Sequence, residues 1–137
     1  MAQTLTLELV TPAKQVLSEK VEEITAPGTM GQFGVLPGHT PMLTTLEVGE
    51  LCYRKDGQTY YVAVNWGYVE IEDDKVTILV ETAEIEDEID LERAKAALGR
   101  AEKALAEMSA EEKEYLVMQQ ALARAMARIQ VASRKAS

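Results

Sequence analysis

The sequence contains little cysteine, histidine and proline: its 137 residues include one Cys, one His and four Pro. Because Cys52 has no partner for an internal disulfide, the chain suits a reducing compartment. One cysteine and one histidine argue against a zinc site, and the acidic runs at 70–74 and 84–90 lack the ligand spacing of a calcium-binding loop. We therefore predict no metal site.

Long apolar runs are also absent. No stretch approaches the roughly 20 consecutive apolar residues that a membrane-spanning helix needs. Residues 1–12 lack the basic and apolar regions of a signal peptide. We expect a soluble protein that faces the cytosol.

Positive charge is scarce in the first two thirds of the chain. Residues 1–88 carry 16 acids against 5 bases, a net charge of −11, whereas residues 89–137 carry 7 acids against 9 bases, a net charge of +2. The acidic first part argues against nucleic-acid binding. The basic end predicts contact with an acidic surface of this chain or of a partner, through Arg124, Arg128, Arg134 and Lys135.

In residues 1–86 the apolar positions recur at every second residue, the period of a half-buried strand. Leu5, Leu7 and Leu9 alternate in this way with polar residues, and the pair Asp56-Gly57 fits a type I′ hairpin turn. Further short runs of β-branched and aromatic residues occupy 21–26, 50–54, 59–65, 68–72 and 75–80. Many short strands without intervening helical patterns predict an antiparallel sandwich or barrel.

After residue 86 the apolar period becomes helical. Two apolar stripes have a 3-4-3-4 spacing, and their members are Leu91, Ala94, Leu98, Ala101, Leu105 and Met108, then Tyr115, Met118, Leu122, Ala125, Ile129 and Ala132. Each stripe is narrow enough to face one partner helix, and the short connection predicts an antiparallel hairpin. Asp90 is the predicted N-cap of the first helix, and Ser109, with Glu112 three residues on, that of the second.

Alanine occupies alternate positions of both stripes, which allows close approach but buries little apolar area. Burying leucine instead of alanine would contribute about 1–2 kcal/mol more per position. A hairpin this rich in alanine is marginal alone. We therefore expect it either to dock on the β domain or to be built to separate from it.

The stretch GQFGVLPGH at 31–39 holds three glycines, a proline and the single histidine, His39. No Gly-Lys-Ser/Thr follows, so the glycines form no phosphate-binding loop. His39 and Cys52 could act as base and nucleophile, but no third, orienting group is evident. We predict no catalytic residue, and favour a loop that is structural or lies at an interface.

Four arginines are harder to assign. Arg93 and Arg100 lie on the first predicted helix and Arg124 and Arg128 on the second, at nearby levels of an antiparallel hairpin. Clustered guanidinium groups repel one another unless an anion lies among them, and a helix N-terminus beside them favours a polyphosphate. The alternative is that these arginines point outward to solvent and to acidic partners.

The stretch GQFGVLPGHTPMLT at 31–44 resembles the signature of the epsilon subunits of bacterial F-type ATP synthases. The stretch KVTILVETAEIEDEIDLERAKAA at 75–97 is similar to their last strand, hinge and first C-terminal helix. The resemblance covers essentially the whole chain. It implies an α+β protein, with an antiparallel β sandwich of about ten strands at 1–86 and a hinge and antiparallel two-helix hairpin at 87–137.

The resemblance also implies a non-catalytic role in the central stalk. The β domain would bind the gamma subunit and the c-subunit ring, and so couple proton translocation to ATP synthesis at the alpha and beta subunits. The hairpin would switch between a folded state and an extended state that inhibits ATP hydrolysis. No cofactor would be required, although ATP is a candidate regulatory ligand. The chain would be peripheral, at the cytoplasmic face of the bacterial inner membrane. A free-standing ATP-sensing module is the alternative.

Three sets of site residues follow from the resemblance. The set facing gamma and the c ring is Gly31, Gln32, Phe33, Pro37 and His39. The set implied for ATP is Glu84, Ile89, Asp90, Arg93, Ala94, Arg100, Arg124 and Arg128. The inhibitory basic tail is Arg124, Arg128, Arg134 and Lys135. Many relatives carry an acid at the position of Gln32, so the location of this contact transfers but a salt bridge does not.

Overall fold

The structure is a computed structural model that describes residues 3–134. Eight strands come first: β1 Leu5–Val10, β2 Gln15–Val21, β3 Glu23–Gly28, β4 Gly31–Val35, β5 Met42–Leu46, β6 Gly49–Lys55, β7 Gln58–Glu72 and β8 Lys75–Ile85. A 3-10 turn at Glu86–Glu88 leads into two helices, α1 Leu91–Ala106 and α2 Lys113–Arg134. The predicted order of a β domain followed by two helices is confirmed.

The strands form one continuous ladder in the order β2-β1-β8-β7-β5-β3-β4, with β6 paired to both β3 and β7. The first half of β7 pairs with β6 and the second half with β5, so the ladder folds over into two layers. Residues 3–134 form eight strands where about ten were expected, because β7 and β8 pass unbroken through the fold-over. One pair, β1 with β8, is parallel, unlike the predicted antiparallel pattern.

The fold-over occurs at Trp66, whose φ of 47° is left-handed. Val62 and Val64 face the core before this point, and Val69 and Ile71 face it afterwards, so the alternation of side chains inverts. The next residue is Gly67, and a Cβ atom at this position would lie 1.8 Å from the carbonyl oxygen of Leu79. Only glycine allows β7 and β8 to approach so closely here.

The core lies between the two layers and consists of aliphatic side chains. Leu5, Leu7 and Leu9 are fully buried, as their period-two pattern predicts. Ile24 and Ile78 are equally buried in the same cluster. This cluster of leucine, isoleucine and valine supplies most of the apolar burial of the domain.

The hairpin docks on the β domain mainly through α2, which packs against β6, β7 and the 3-10 turn. Ala94, Ala101 and Ala125 are buried as predicted. Ala127 and Val131 are also buried, although they lie outside the predicted stripes, because α2 packs on the β domain as well as on α1.

The two predicted helix caps have different outcomes. The carboxylate of Asp90 accepts a hydrogen bond from the backbone N–H of Arg93 at 3.1 Å, which confirms the N-cap of α1. The Ser109 cap is wrong, because α2 begins only at Lys113. The hydroxyl of Ser109 instead accepts from the backbone N–H of Glu111 at 3.3 Å, within the preceding turn.

Candidate functional site

A cleft of about 660 Å³ lies between the hairpin and the outer faces of β7 and β8. Because Val62 and Val64 face the core, Ala63 and Asn65 face away from it and line this cleft. Apolar side chains form most of the walls, and seven of them are alanines: Ala63, Ala97, Ala101, Ala104, Ala121, Ala125 and Ala127. The volume falls within the usual range for small-molecule sites.

The charged residues of the cleft are three arginines and one glutamate: Arg100, Arg124, Arg128 and Glu84. Arg128 Nε lies 2.9 Å from Oε1 of Glu84, and its Nη2 donates to Oε2 at 3.5 Å. Within residues 3–134 the buried Nε atom itself makes no aligned hydrogen bond, so the 2.9 Å contact is an ion pair. The excess of guanidinium groups favours an anionic ligand.

The structure brings together only part of the set that the resemblance implied for ATP. Glu84, Arg100, Arg124 and Arg128 share the cleft. The remaining four do not line it, and they are Ile89, Asp90, Arg93 and Ala94. Asp90 caps α1, the side chain of Arg93 is exposed and Ala94 is fully buried.

Two residues on the strand floor of the cleft were missed by the sequence analysis. Asn65 and Thr82 are cross-strand partners on β7 and β8, and both line the cleft. Asn65 had a sequence signal, since it interrupts the apolar run YVAVNWG. Thr82 had none, because threonine is ordinary in a strand.

A second contact fixes the end of α2. The carboxylate of Glu50 on β6 accepts two hydrogen bonds from Arg134, from Nε at 3.0 Å and from Nη2 at 2.9 Å. The guanidinium also lies 4.8 Å from the ring centroid of Tyr61, and Gln130 donates to Glu50 at 3.4 Å. Glu50 raises the pKa of Arg134 further through its hydrogen bond and charge. Part of the predicted basic tail thus meets an acidic group of its own chain; Lys135 lies outside the described residues.

The loop at 36–41 is braced from the β7–β8 turn. The carboxylate of Asp74 accepts a hydrogen bond from the backbone N–H of Gly38 at 2.7 Å, and the N–H of His39 donates to Leu36 at 3.1 Å. Nδ1 of His39 lies 2.7 Å from the carbonyl oxygen of Thr40. The structure places Gly31 and Gln32 on β4, both exposed, and Phe33 and Pro37 half-buried nearby.

His39 and Cys52 do not share a site. Cys52 lies on β6 in a small depression with Glu23, Thr25 and Arg54. Burial raises the pKa of its thiol, which is the opposite of what an activated nucleophile needs. The hypothesis of a small enzyme centred on these residues has no support in this geometry.

An apolar patch lies on the outer face of β5, β7 and β8. Tyr68 and Leu79 are cross-strand partners, 57% and 50% exposed, and Leu43 on β5 is 70% exposed. Exposed apolar side chains on adjacent strands are typical of surfaces that bind another protein. Within residues 3–134, neither helix has the length and hydropathy to cross a membrane.

These features define a class of protein: a small β sandwich that carries a docked helical hairpin, with an arginine-lined cleft between the two parts. Residues 4–86 match the family profile described as ATP synthase, Delta/Epsilon chain, beta-sandwich domain. Residues 87–133 match that of the ATP synthase, Delta/Epsilon chain, long alpha-helix domain. The chain belongs to the delta/epsilon family of ATP synthase subunits, and is therefore a non-catalytic subunit of an enzyme complex.

Individual relatives agree with this assignment. The chain is 69% identical to ATP synthase epsilon chain 2 of Syntrophotalea carbinolica, over 98% of this chain and 97% of the relative. It is 63% identical to the ATP synthase epsilon chain of Geobacter sulfurreducens, over 99% of both. Among solved structures, a chain of the Euglena gracilis mitochondrial ATP synthase OSCP/F1/c-ring assembly matches with a TM-score of 0.81 and 26% identity, over 95% of this chain and 81% of that one. The resemblance to bacterial epsilon subunits is confirmed.

Proposed function

We propose that the chain is the central-stalk subunit that couples proton translocation through the c ring to ATP synthesis at the alpha and beta subunits. Its β domain binds gamma and the c ring, at the cytoplasmic face of the bacterial inner membrane. Its hairpin regulates ATP hydrolysis by leaving the β domain. The observation that supports the regulatory role is the interface between the hairpin and the β domain, which is lined by alanines and held by the ion pairs Glu84–Arg128 and Glu50–Arg134.

Two surfaces support the partner assignments. The apolar patch of Leu43, Tyr68 and Leu79 is suited to gamma, because stable protein interfaces need a desolvated apolar centre. The loop at 36–41 is suited to a moving ring, since Asp74 fixes its backbone while its polar side chains stay accessible. Gln32 offers an exposed neutral amide near the start of β4.

The hairpin interface supports a switch. A two-state element requires packings that differ by only a few kcal/mol, which small side chains and replaceable ion pairs provide. Glu84–Arg128 and Glu50–Arg134 can exchange their partners for water or for acidic segments of other subunits with little net cost, because the arginine side chains are already 24% and 41% exposed. The alanines leave only a small apolar area to expose.

The cleft supports ATP as a regulatory ligand that is not required for folding. Arg100, Arg124 and Arg128 can hold a polyphosphate, and Arg128 can exchange its partner Glu84 for a phosphate group. The alanine walls leave room for a flat base. A ligand that contacts both the hairpin and β8 stabilises the docked state by mass action. The same cleft also fits the alternative of a free-standing ATP-sensing module.

Copurification with and without the hairpin tests the coupling role. Full-length chain should retain gamma in a stoichiometric ratio, and a chain lacking residues 90–137 should do so too, because the patch and the loop lie on the β domain. The shortened complex should synthesise ATP while its latent hydrolysis changes. Failure of the shortened chain to assemble would count heavily against this division of roles.

Calorimetry on the isolated chain tests ATP binding. Wild type should bind ATP, and Arg128→Ala should weaken binding by about tenfold because a desolvated phosphate contact is lost. Lys95→Ala is the control, since Lys95 is exposed on α1, does not line the cleft and pairs with Glu92 at 3.8 Å. No heat at millimolar ATP would exclude the nucleotide role and leave the coupling role untouched.

A further inference from the structure

Two buried side-chain polar atoms among residues 3–134 have no hydrogen-bond partner, and both belong to residues that line the cleft between the hairpin and the sheet. They are Nε of Arg128 and Oδ1 of Asn65. The guanidinium of Arg128 is compensated by its ion pair with Glu84. Asn65 is 7% exposed, and its Oδ1 is closed off from solvent without any such compensation within the described residues. The Asn65 amide therefore destabilises the interface in which it lies.

The docked hairpin is what closes solvent off from this amide. Val62 and Val64 face the core, so Asn65 faces away from it, on the side of β7 against which α2 packs. Alanines of both helices line the cleft around it, and an alanine side chain has no group that can donate a hydrogen bond. Thr82, its cross-strand partner on β8, lines the same cleft but is exposed, so its hydroxyl can bind water while the hairpin is docked.

The docked and released states of the hairpin differ at this amide. When the hairpin is released, water reaches Oδ1 of Asn65 and donates a hydrogen bond to it. When the hairpin docks, that hydrogen bond is lost and the alanines supply no replacement, so docking costs the desolvation free energy of the amide. The cost falls on the docked state alone, and the exposed hydroxyl of Thr82 carries no comparable cost.

We propose that the Asn65 amide raises the free energy of the docked state and so determines how readily the hairpin leaves the β domain. This inference rests on the hairpin release proposed above, and names the residue that balances its two states. A ligand or a partner shifts a two-state equilibrium only by its differential affinity for the two states, so a responsive switch needs states of similar free energy. An apolar residue at position 65 would favour docking and make the hairpin harder to release.

A distance measurement on the full chain tests the proposal. Spectroscopic labels at Gln119→Cys on α2 and Thr59→Cys on β7, in a Cys52→Ala background, report the docked and released populations. The ratio of docked to released hairpin should rise about tenfold in Asn65→Ala, because the docked state no longer holds an unpaired amide. Removing atoms from the cleft floor would by itself weaken packing, so a rise cannot come from packing.

A second variant and a matched control isolate the amide. Asn65→Val should raise the ratio at least as much as Asn65→Ala, since valine also lacks the amide and fills part of its space. Thr82→Ala removes atoms from the same floor but no shielded polar group, and should leave the ratio within about twofold of wild type. A change in strand propensity at position 65 stabilises β7 equally in both states, so it leaves this ratio as in wild type.

The outcomes separate this proposal from the one on which it rests. If both populations are seen and neither variant of Asn65 raises the docked fraction, the amide does not control docking, although the hairpin switch stands. A rise in Thr82→Ala as large as that in Asn65→Ala would also overturn the assignment. If no released population is seen in wild type or in an Arg134→Gln chain, whose docking is weakened, the hairpin release and this inference both fall.

Discussion

The two parts of the chain bury different kinds of side chain. The β domain buries leucine, isoleucine and valine completely, as at Leu7 and Ile78. The helices bury four alanines and one valine: Ala94, Ala101, Ala125, Ala127 and Val131. Buried apolar area sets most of the favourable free energy of packing, so the same burial fraction stabilises the hairpin far less. The β domain is therefore packed more stably than the interface that holds the hairpin.

The hairpin compensates with polar contacts at its second helix. Within residues 3–134 the ion pairs Glu84–Arg128 and Glu50–Arg134 join the β domain to the C-terminal half of α2. No such pair joins α1 to the β domain within residues 3–134. The far end of α2 therefore anchors the hairpin, while α1 is held mainly through α2.

The largest expected effect comes from truncating the β core. Leu7→Ala should lower the free energy of unfolding by about 3 kcal/mol, because it removes a fully buried side chain and leaves a cavity. Urea denaturation measures this loss. Leu79→Ala is the matched control at 50% exposure, and should cost less than about 1 kcal/mol. Equal losses in the two variants would contradict the contrast between core and surface.

A smaller effect is expected at the anchored end of α2. Arg134→Gln removes both hydrogen bonds to Glu50, whose side chain is 10% exposed. Docking of the hairpin should weaken by about 1 kcal/mol, roughly fivefold, since the arginine is itself partly exposed. The free energy of unfolding of the β core should stay unchanged.

A distance between the two parts measures this docking. Spectroscopic labels at Gln119→Cys on α2 and Thr59→Cys on the β domain, in a Cys52→Ala background, should report a larger undocked population in Arg134→Gln. Lys95→Gln removes the same charge from an exposed i,i+3 pair and should leave the distance distribution as in wild type. A docked population that Arg134→Gln does not reduce would show that packing alone holds the hairpin.

Much of this organisation could be predicted from the sequence, because periodicity reports burial directly. Leu5, Leu7 and Leu9 identified a core strand, and Ala94, Ala101 and Ala125 identified the contact between the helices. The fold-over at Trp66 was not predictable, since it depends on a left-handed backbone and on how closely two strands approach.

The missed floor of the cleft has a different cause. Simple alternation turns Asn65 away from the core, because Val62 and Val64 face it, but the hairpin that closes the cleft over Asn65 docks in a way that no local pattern specifies. Glu50 was missed as the partner of Arg134 because 84 residues separate them in sequence. Contacts between distant segments follow from the docking of the hairpin, which no local pattern specifies.

The smallest expected effect is an alkaline loss of stability that belongs to the β domain. Burial raises the pKa of the Cys52 thiol from its ordinary 9.0 and that of the Tyr53 phenol from 10.0. Both groups therefore bind their proton more tightly in the folded than in the unfolded chain, so stability is unaffected below about pH 9 and falls as pH rises further. Urea denaturation at pH 8 and pH 10 should show a decline smaller than the effect of one core leucine. Cys52→Ala should reduce that decline, whereas Arg54→Gln, a substitution at a neighbouring exposed residue, should leave it as in wild type. If the decline in Cys52→Ala equals that of wild type, the thiol has the same pKa in the folded and unfolded chain.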